Sequence, residues 1–285
     1  AKANPAALAN ATVETIASGE QFKTLATVEK IWEHILSHGL GRKNTLAAFG
    51  GGVTGDLTGF SAATWMRGIN WINFPTTLLS MVDASTGGKT GCDLPRGKNL
   101  IGAFHFPKLV LIDAAYLKTL PENELKNGRA EMIKHEIIKG LAPGNYKAIP
   151  SAQEIGDNLA VKVELVTKDP YEQKGFRLLL NCGHTVGHAL EIATNFSFSH
   201  GQAVAIGIIE EAKLAQKLGL AKAEFVNELK ERIAAAGLPT ELPPNVTFAS
   251  LKDIMLKDKK HQGKTVTFAL PCANGDVRAV PIELK

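Results

Sequence analysis

The chain has 285 residues, 45% apolar and 21% charged, an ordinary globular composition with room for two cores. A net charge of +4 is too mild to argue for nucleic acid, and no aromatic-interleaved basic stretch occurs. No apolar run reaches the ~20 residues of a membrane span, no signal peptide opens the sequence, and Cys92, Cys182 and Cys272 show no C-x-x-C spacing, so a soluble, cytoplasmic protein with reduced thiols is expected.

Residues 1–23 are Ala-rich and hold a candidate strand at Thr12–Ile16. Val28 to Leu40 carries apolar residues at helical spacing (Val28, Ile31, Trp32, Ile35, Leu36) and stops at Gly39–Gly41. Thr45–Phe49 reads as a short buried strand running into Gly50-Gly51-Gly52-Val53-Thr54-Gly55-Asp56, with a helix following to about Met66. Strand, glycine turn and helix in that order suit a phosphate cradle: small residues let backbone N–H groups approach, and a helix N-terminus favours an anion. The spacing differs from G-x-G-x-x-G, and a plain tight turn suits the residues equally well.

A strand at Asn70–Phe74 leads to Pro75-Thr76-Thr77, opening a helix with Asp83 near its end. Gly87-Gly88-Lys89-Thr90-Gly91 then runs to Gly97-Lys98-Asn99. Lys89 and Lys98, glycine-flanked and flexible, suit contact with an anion, although most lysines are merely solvated. After the apolar strand Leu109–Asp113 the β–α alternation, and with it a parallel α/β layer, ends. Thr119-Leu120-Pro121-Glu122 is a helix start with capping-box spacing. Helices are predicted from there to Gly140 and at Ile155–Thr167, Cys182–Thr194, His200–Leu218, Ala223–Ala236 and Ala249–Leu256; strands at Thr265–Leu270 and Arg278–Ile282 close the chain. The expected division is 1–118, α/β, and 119–285, mainly helical.

The chemistry concentrates in the second part. His184 and His188 are four apart and share a helix face, and His200 opens the next helix, where Ser199 and Gln202 fit a capping box. Glu131, His184 and His200 offer one carboxylate and two imidazoles, the donors of an open catalytic zinc site. Cys182 is a competing ligand or simply core. Lys134, Lys162, Arg177, Asn181 and the Lys259-Lys260 pair surround this set in sequence and suit a substrate with several negative charges, though any single one reads as readily as a solvated cation.

Taken in order, Gly50–Asp56, Pro75-Thr76-Thr77-Leu78, Val82-Asp83, Gly87–Gly91, Gly97–Phe104, Ala130-Glu131-Met132-Ile133-Lys134, Asn181–His188 and His200-Gly201 closely resemble the 3-dehydroquinate synthase family, a branch of the sugar-phosphate cyclases. The resemblance runs from about Gly19 to Lys260 and implies a Rossmann-like NAD-binding domain followed by a helical metal and substrate domain. It implies a homodimeric lyase that needs NAD and Zn2+ (or Co2+), converting 3-deoxy-D-arabino-heptulosonate 7-phosphate, a phosphorylated keto acid, to 3-dehydroquinate and phosphate. In that family the substrate is transiently oxidised, loses phosphate, is reduced again and closes by an aldol step.

By position, Glu131, His184 and His200 match the family's metal ligands, and His188 the histidine of proton transfer beside the phosphate. Asp83, Lys89, Asn99, Lys134, Lys162, Arg177 and Asn181 match substrate contacts, with catalytic roles for Lys89, Lys134 and Asn181; Arg67 matches an arginine from the other subunit, and Lys259 or Lys260 a phosphate contact. Glu20, Lys23, Gly51, Gly52, Val53, Gly55, Asp56, Thr76, Thr77, Lys98, Tyr116 and Thr119 match NAD contacts. The family's opening strand–helix–strand unit has no counterpart, nor does the acidic residue that holds the adenosine ribose, so a truncated chain or a less complete NAD site is expected. Residues 141–161 are shortened, Asp93-Leu94 replaces a usual Asn-His, and Gln202 a common Glu. Competing expectations are a zinc-dependent polyol or glycerol-phosphate dehydrogenase, another sugar-phosphate cyclase, and a catalytically dead binding protein.

Overall fold

The computed structural model describes residues 11–95, 97–257 and 264–284. Lys259 and Lys260 lie outside the described residues. The chain divides into two compact units, one drawn from Ala1–Pro75 and Gly88–Leu111, the other from Thr76–Gly87 and Ile112–Lys285. The segment 76–87, read from sequence with the α/β part, thus packs with the second unit.

The first unit begins its regular structure at Thr24, whose side chain accepts from Thr27 N and caps α1 (Leu25–Ser37). Val28, Ile31 and Ile35 form the buried stripe of α1 and meet Leu57, Phe60 and Cys92 in one core. β1 (Thr45–Gly50), α2 (Gly52–Thr64) and β2 (Asn70–Pro75) form a β–α–β unit in which the strands pair in parallel, Thr45 opposite Asn70 and Gly50 opposite Pro75. β3 (Lys89–Leu94) and β4 (Gly97–Phe104) form an antiparallel hairpin, and β5 (Leu109–Val110) adds to β2 to give the sheet order β1-β2-β5.

Three local expectations need correction here. Thr12–Ile16 is not a strand; Thr12 Oγ1 and Glu14 bond His34 instead, at 2.9 Å each. The glycine-rich 87–99 stretch is largely hairpin rather than flexible loop, because Gly91 and Gly102 face each other so closely that a Cβ on either would strike the opposite backbone. The predicted strand to Asp113 keeps only its first two residues.

The second unit contains a π-helical turn at Ser80–Ala84 and five long or medium helices around α6. α3 spans Glu122–Lys139 and α4 Ala152–Lys168, the latter started by a Ser151–Glu154 capping box. The expected Thr119 cap does not form; its hydroxyl donates to Tyr116 O at 3.4 Å, and Glu122 pairs with Arg129. α5 (His184–Ala193), α6 (His200–Lys217), α7 (Ala223–Ala235) and α8 (Phe248–Lys257) follow, then the hairpin β6 (Thr265–Ala273) and β7 (Asp276–Glu283). α6 is buried almost all round from Ala203 to Ala212, the mark of a central helix. Gly140, the left-handed cap of α3, abuts Gly275 of the hairpin turn, whose N–H donates to Ile137 O at 2.8 Å.

Candidate functional site

In the second unit α3 presents Glu131, Lys134 and His135 on adjacent turns, all buried. Lys134 Nζ pairs with Glu131 Oε2. The other carboxylate oxygen, Oε1, lies 3.4 Å from His184 Nε2 and 3.1 Å from His200 Nε2. His184 is the first residue of α5, with Nδ1 3.1 Å from the Cys182 carbonyl. His200 is the first residue of α6, where both halves of the Ser199–Gln202 capping box are made, and its Nδ1 is 3.4 Å from Glu191 Oε1. With an oxygen acceptor facing each Nδ1, both Nε2 atoms are turned toward Glu131.

The ligand atoms of Glu131, His184 and His200 all lie within 4.8 Å of one another. One buried carboxylate and two converging imidazoles fit an open zinc or cobalt site, so the residues pass the test that their chemistry sets. Electrostatics agree. Burial raises the Glu131 carboxyl, but Lys134, His184 and His200 bring it well below its ordinary value. Burial lowers His200, yet its bonds to Glu131 and Glu191 outweigh that and push it up to about 10, so a metal bound here takes the place of a proton on His200. Burial holds His184 well below an ordinary histidine, keeping a ligand nitrogen unprotonated. His188 stands one turn along the same face, its ring centroid 5.2 Å from His184 and 6.1 Å from His200.

Beside these residues lies a ring of charges. Lys162 Nζ donates to Asp83 Oδ1 at 2.9 Å and to the Asp83 carbonyl at 2.7 Å, and Lys134 Nζ is 3.7 Å from the same Oδ1. Burial raises Asp83, but Lys162 and Lys134 take it well below an ordinary aspartate. Lys134 and Lys162 share this one carboxylate and then part company: burial lowers both, Glu131 and Asp83 raise Lys134 overall, and Lys162 ends below its ordinary value. Arg177 Nη1 donates to the carbonyls of Gly87 (3.0 Å) and Pro170 (2.9 Å). Gly87 has φ +119°, and a Cβ there would come within 2.9 Å of Arg177 Nη2 and 3.7 Å of Lys162 Cε, so glycine lets two cations crowd one backbone. Asn181 ends the 3-10 turn Phe176–Asn181 that leads into α5.

The first unit gathers a different set. α2 starts at Gly52 after the N-cap Gly51, which supplies no side-chain cap, so its first-turn amides face outward from a glycine turn. Gly50 is required by close approach, since a Cβ there would meet Thr54 Oγ1 at 2.5 Å. Asp56 on this helix pairs with Lys23 Nζ at 2.6 Å, Glu20 lies 4.0 Å from Lys23 and 3.9 Å from Lys98, and Lys23 donates to Asn99 Oδ1 at 2.6 Å. Glu20, Lys23, Gly51, Gly52, Val53, Gly55, Asp56 and Lys98 are therefore neighbours, and Asn99 joins them. Asn99 N also donates to Asp93 at 2.6 Å. Lys89 opens β3, and Arg67 sits exposed in a strained turn with φ +68°. Thr76, Thr77, Tyr116 and Thr119 belong to the second unit, where Thr77 Oγ1 accepts from Ser80 N at 3.2 Å.

Asn158, Glu191 and Glu211 of the second unit were not singled out from sequence, and His135 was read there only as sharing the α3 face of Glu131 and Lys134. His135 is fully buried, its Nδ1 2.8 Å from Asn158 Oδ1, and Asn158 Nδ2 donates to Met132 O at 3.0 Å. Glu191 faces His200, and Glu211 accepts from the amides that open α5. Glu191 was findable, being two helical turns beyond His184 on one face; the others lie on helices whose burial no local pattern reveals.

Two family models cover most of the chain: 3-dehydroquinate synthase N-terminal on residues 13–127 and 3-dehydroquinate synthase C-terminal on residues 128–261. A 3-dehydroquinate synthase from Synechococcus sp. is 45% identical over 277 residues, 92% of this chain and 75% of the relative. Among solved structures, 2-epi-5-epi-valiolone synthase from Streptomyces hygroscopicus, with NAD+ and Zn2+ bound, matches at a TM-score of 0.86 and 29% identity, covering 97% of this chain and 81% of that one. A 2-deoxy-scyllo-inosose synthase complexed with carbaglucose-6-phosphate, NAD+ and Co2+ matches at a TM-score of 0.84 and 28% identity, covering 93% of this chain and 78% of that one.

Proposed function

The chain belongs to the 3-dehydroquinate synthase family, and we propose that it catalyses that family's reaction, releasing phosphate from 3-deoxy-D-arabino-heptulosonate 7-phosphate to form 3-dehydroquinate. The observation that carries the site assignment is the convergence of Glu131, His184 and His200 within 4.8 Å. Those three residues would hold a zinc or cobalt ion, and the glycine turn of α2, with Glu20, Lys23, Asp56 and Lys98, would hold NAD; Thr76, Thr77, Tyr116 and Thr119 of the second unit match further NAD contacts of the family. When bound, the ion supplies a Lewis acid and NAD a reversible hydride acceptor.

The chain's own residues do the rest. Arg177, a planar fork among carbonyls, suits the substrate carboxylate through paired N–H donors, with Lys162 as a second cation. Asp83 accepts hydrogen bonds while holding Lys162 and Lys134 in place. Lys134 neutralises Glu131 on the side away from the histidines. His188 exchanges a proton with the departing phosphate, whose charge Lys89 and one of Lys259 and Lys260 also meet. Asn99 and Asn181 orient hydroxyls, and Arg67 contributes to the site of a second copy in a homodimer. The functional division is a cofactor-binding part, 1–118, and a metal- and substrate-binding part, 119–285, of a cytoplasmic enzyme; among the described residues no helix is long and apolar enough to cross a membrane.

The test is phosphate release from the heptulosonate phosphate with added zinc and substoichiometric NAD. One phosphate per substrate without net NADH is expected. Stoichiometric NADH would point to a polyol dehydrogenase instead, and failure to bind NAD to a binding protein.

A further inference from the structure

α5 carries both His184 and His188, yet its N-cap is Gly183, which has no side chain to satisfy the first-turn amides. Glu211, from the middle of α6, does so. Its Oε2 accepts from Gly183 N at 2.6 Å and its Oε1 from Val186 N at 3.3 Å, and the Glu211 side chain has no exposure. Glycines make this reach possible. Gly183 has φ +78°, and a Cβ on it would come within 2.7 Å of Val204 O and 2.5 Å of Ile208 Cγ1. A Cβ on Gly207, one turn before Glu211, would lie 1.9 Å from Gly183 O. Backbone therefore rests on backbone where α5 starts. The His184 ring is tied to the same few atoms, its Nδ1 being 3.1 Å from Cys182 O, next to the amide that Glu211 holds.

We infer that Glu211 is a positioning residue for the metal centre: by gathering the opening amides of α5 it sets where His184 and His188 project. A carboxyl group fits because its two oxygens accept from two different amides, whose pull only partly offsets the burial that raises Glu211 to about 8. A glutamine of the same volume has one acceptor and turns its NH2 toward a backbone N–H. This inference rests on the proposed metal reading but concerns a residue that touches neither ion nor substrate.

The test compares wild type, Glu211→Gln and Glu211→Ala, each freed of metal and titrated with cobalt, with folding checked by circular dichroism at 10 °C. Outer-shell partners of metal ligands typically contribute 10–100-fold in affinity. The expected result is a cobalt Kd about 10-fold weaker in Glu211→Gln and about 100-fold weaker in Glu211→Ala, a changed visible absorption band of the bound cobalt, and an unaltered Kd for NAD. A lower melting temperature with unchanged cobalt affinity and absorption would make Glu211 merely structural and overturn the inference; the isosteric Gln variant decides if Ala does not fold. Should wild type take up no cobalt, the metal reading itself fails, and this one with it.

Discussion

The first unit offers its proposed cofactor site from backbone, the second its proposed metal site from side chains. Around the start of α2, glycines expose amides, while the nearby charges are spent on one another: buried Lys23 is pinned by Asp56 and Asn99, with Glu20 close by. Around Glu131 the chain instead spends burial on ionisable groups, and its closest contacts join groups that a ligand would also want. The difference teaches where single substitutions bite. A backbone site tolerates many side chains but no bulk in front of its amides; a side-chain site fails at one residue.

The largest effect is therefore expected at His184. His184→Ala removes one of the three proposed ligands, and metal content by atomic emission and turnover should both collapse, the latter by more than about a thousandfold. Helicity should persist, because α5 keeps its apolar face of Val186, Ala189 and Leu190. Full metal occupancy in this variant would remove His184 from the ligand set.

Arg177→Met comes next. Losing a bidentate charged contact to a substrate carboxylate should cost ~2–5 kcal/mol in kcat/KM, with metal content unchanged. The wild type should likewise reject sedoheptulose 7-phosphate, which has no carboxylate for Arg177 to grip. Efficient cyclisation of that sugar phosphate would place this chain's specificity elsewhere in the cyclase superfamily.

The third substitution moves to the first unit. Gly52→Val puts a branched side chain at the first residue of α2, beside the amides proposed for the pyrophosphate. The NAD Kd, read by calorimetry, should rise about 30–100-fold, or ~2–3 kcal/mol, with metal affinity intact. An unchanged Kd would reduce this stretch to an ordinary βα turn.

The same contrast explains what was legible in the sequence. The long helices, the β1–α2–β2 unit and the Ser199–Gln202 cap follow from periodicity and capping chemistry, and His184, His188 and His200 stand out as residue types. Contacts that depend on which side of a helix is buried did not. Nothing local distinguishes Glu211, fully buried against amides, from Glu210 beside it. The β3–β4 hairpin was hidden because Gly91 and Gly102 serve close strand approach, whereas glycine in a sequence reads first as a turn. Thr119 misled because its spacing to Glu122 is right but the chain is still in a 3-10 turn there.

The smallest effect asks whether the buried side chains of the second unit also make it acid-sensitive. His135 is fully enclosed, with Asp83 Oδ1 3.8 Å from Nε2 and Asn158 2.8 Å from Nδ1. Burial, and then the charge of Lys134, lower it to about 4 from 6.5, against the pull of Asp83 and Glu131. Because the folded value is the lower one, the unfolded chain takes up this proton first as pH falls. His135 therefore contributes stability that is present above about pH 6.5 and lost progressively down to about pH 4. Between pH 7 and pH 5 the loss amounts to about 2 kcal/mol. In His135→Asn the amide can still donate to Asn158 but does not titrate. Urea unfolding of the metal-free protein, followed by far-ultraviolet circular dichroism, should show wild type losing about 2 kcal/mol more than the variant over that interval. Parallel pH profiles would mean that His135 is protonated without cost in the folded chain, and that its enclosure among Lys134, Asp83 and Asn158 opens to water below neutrality.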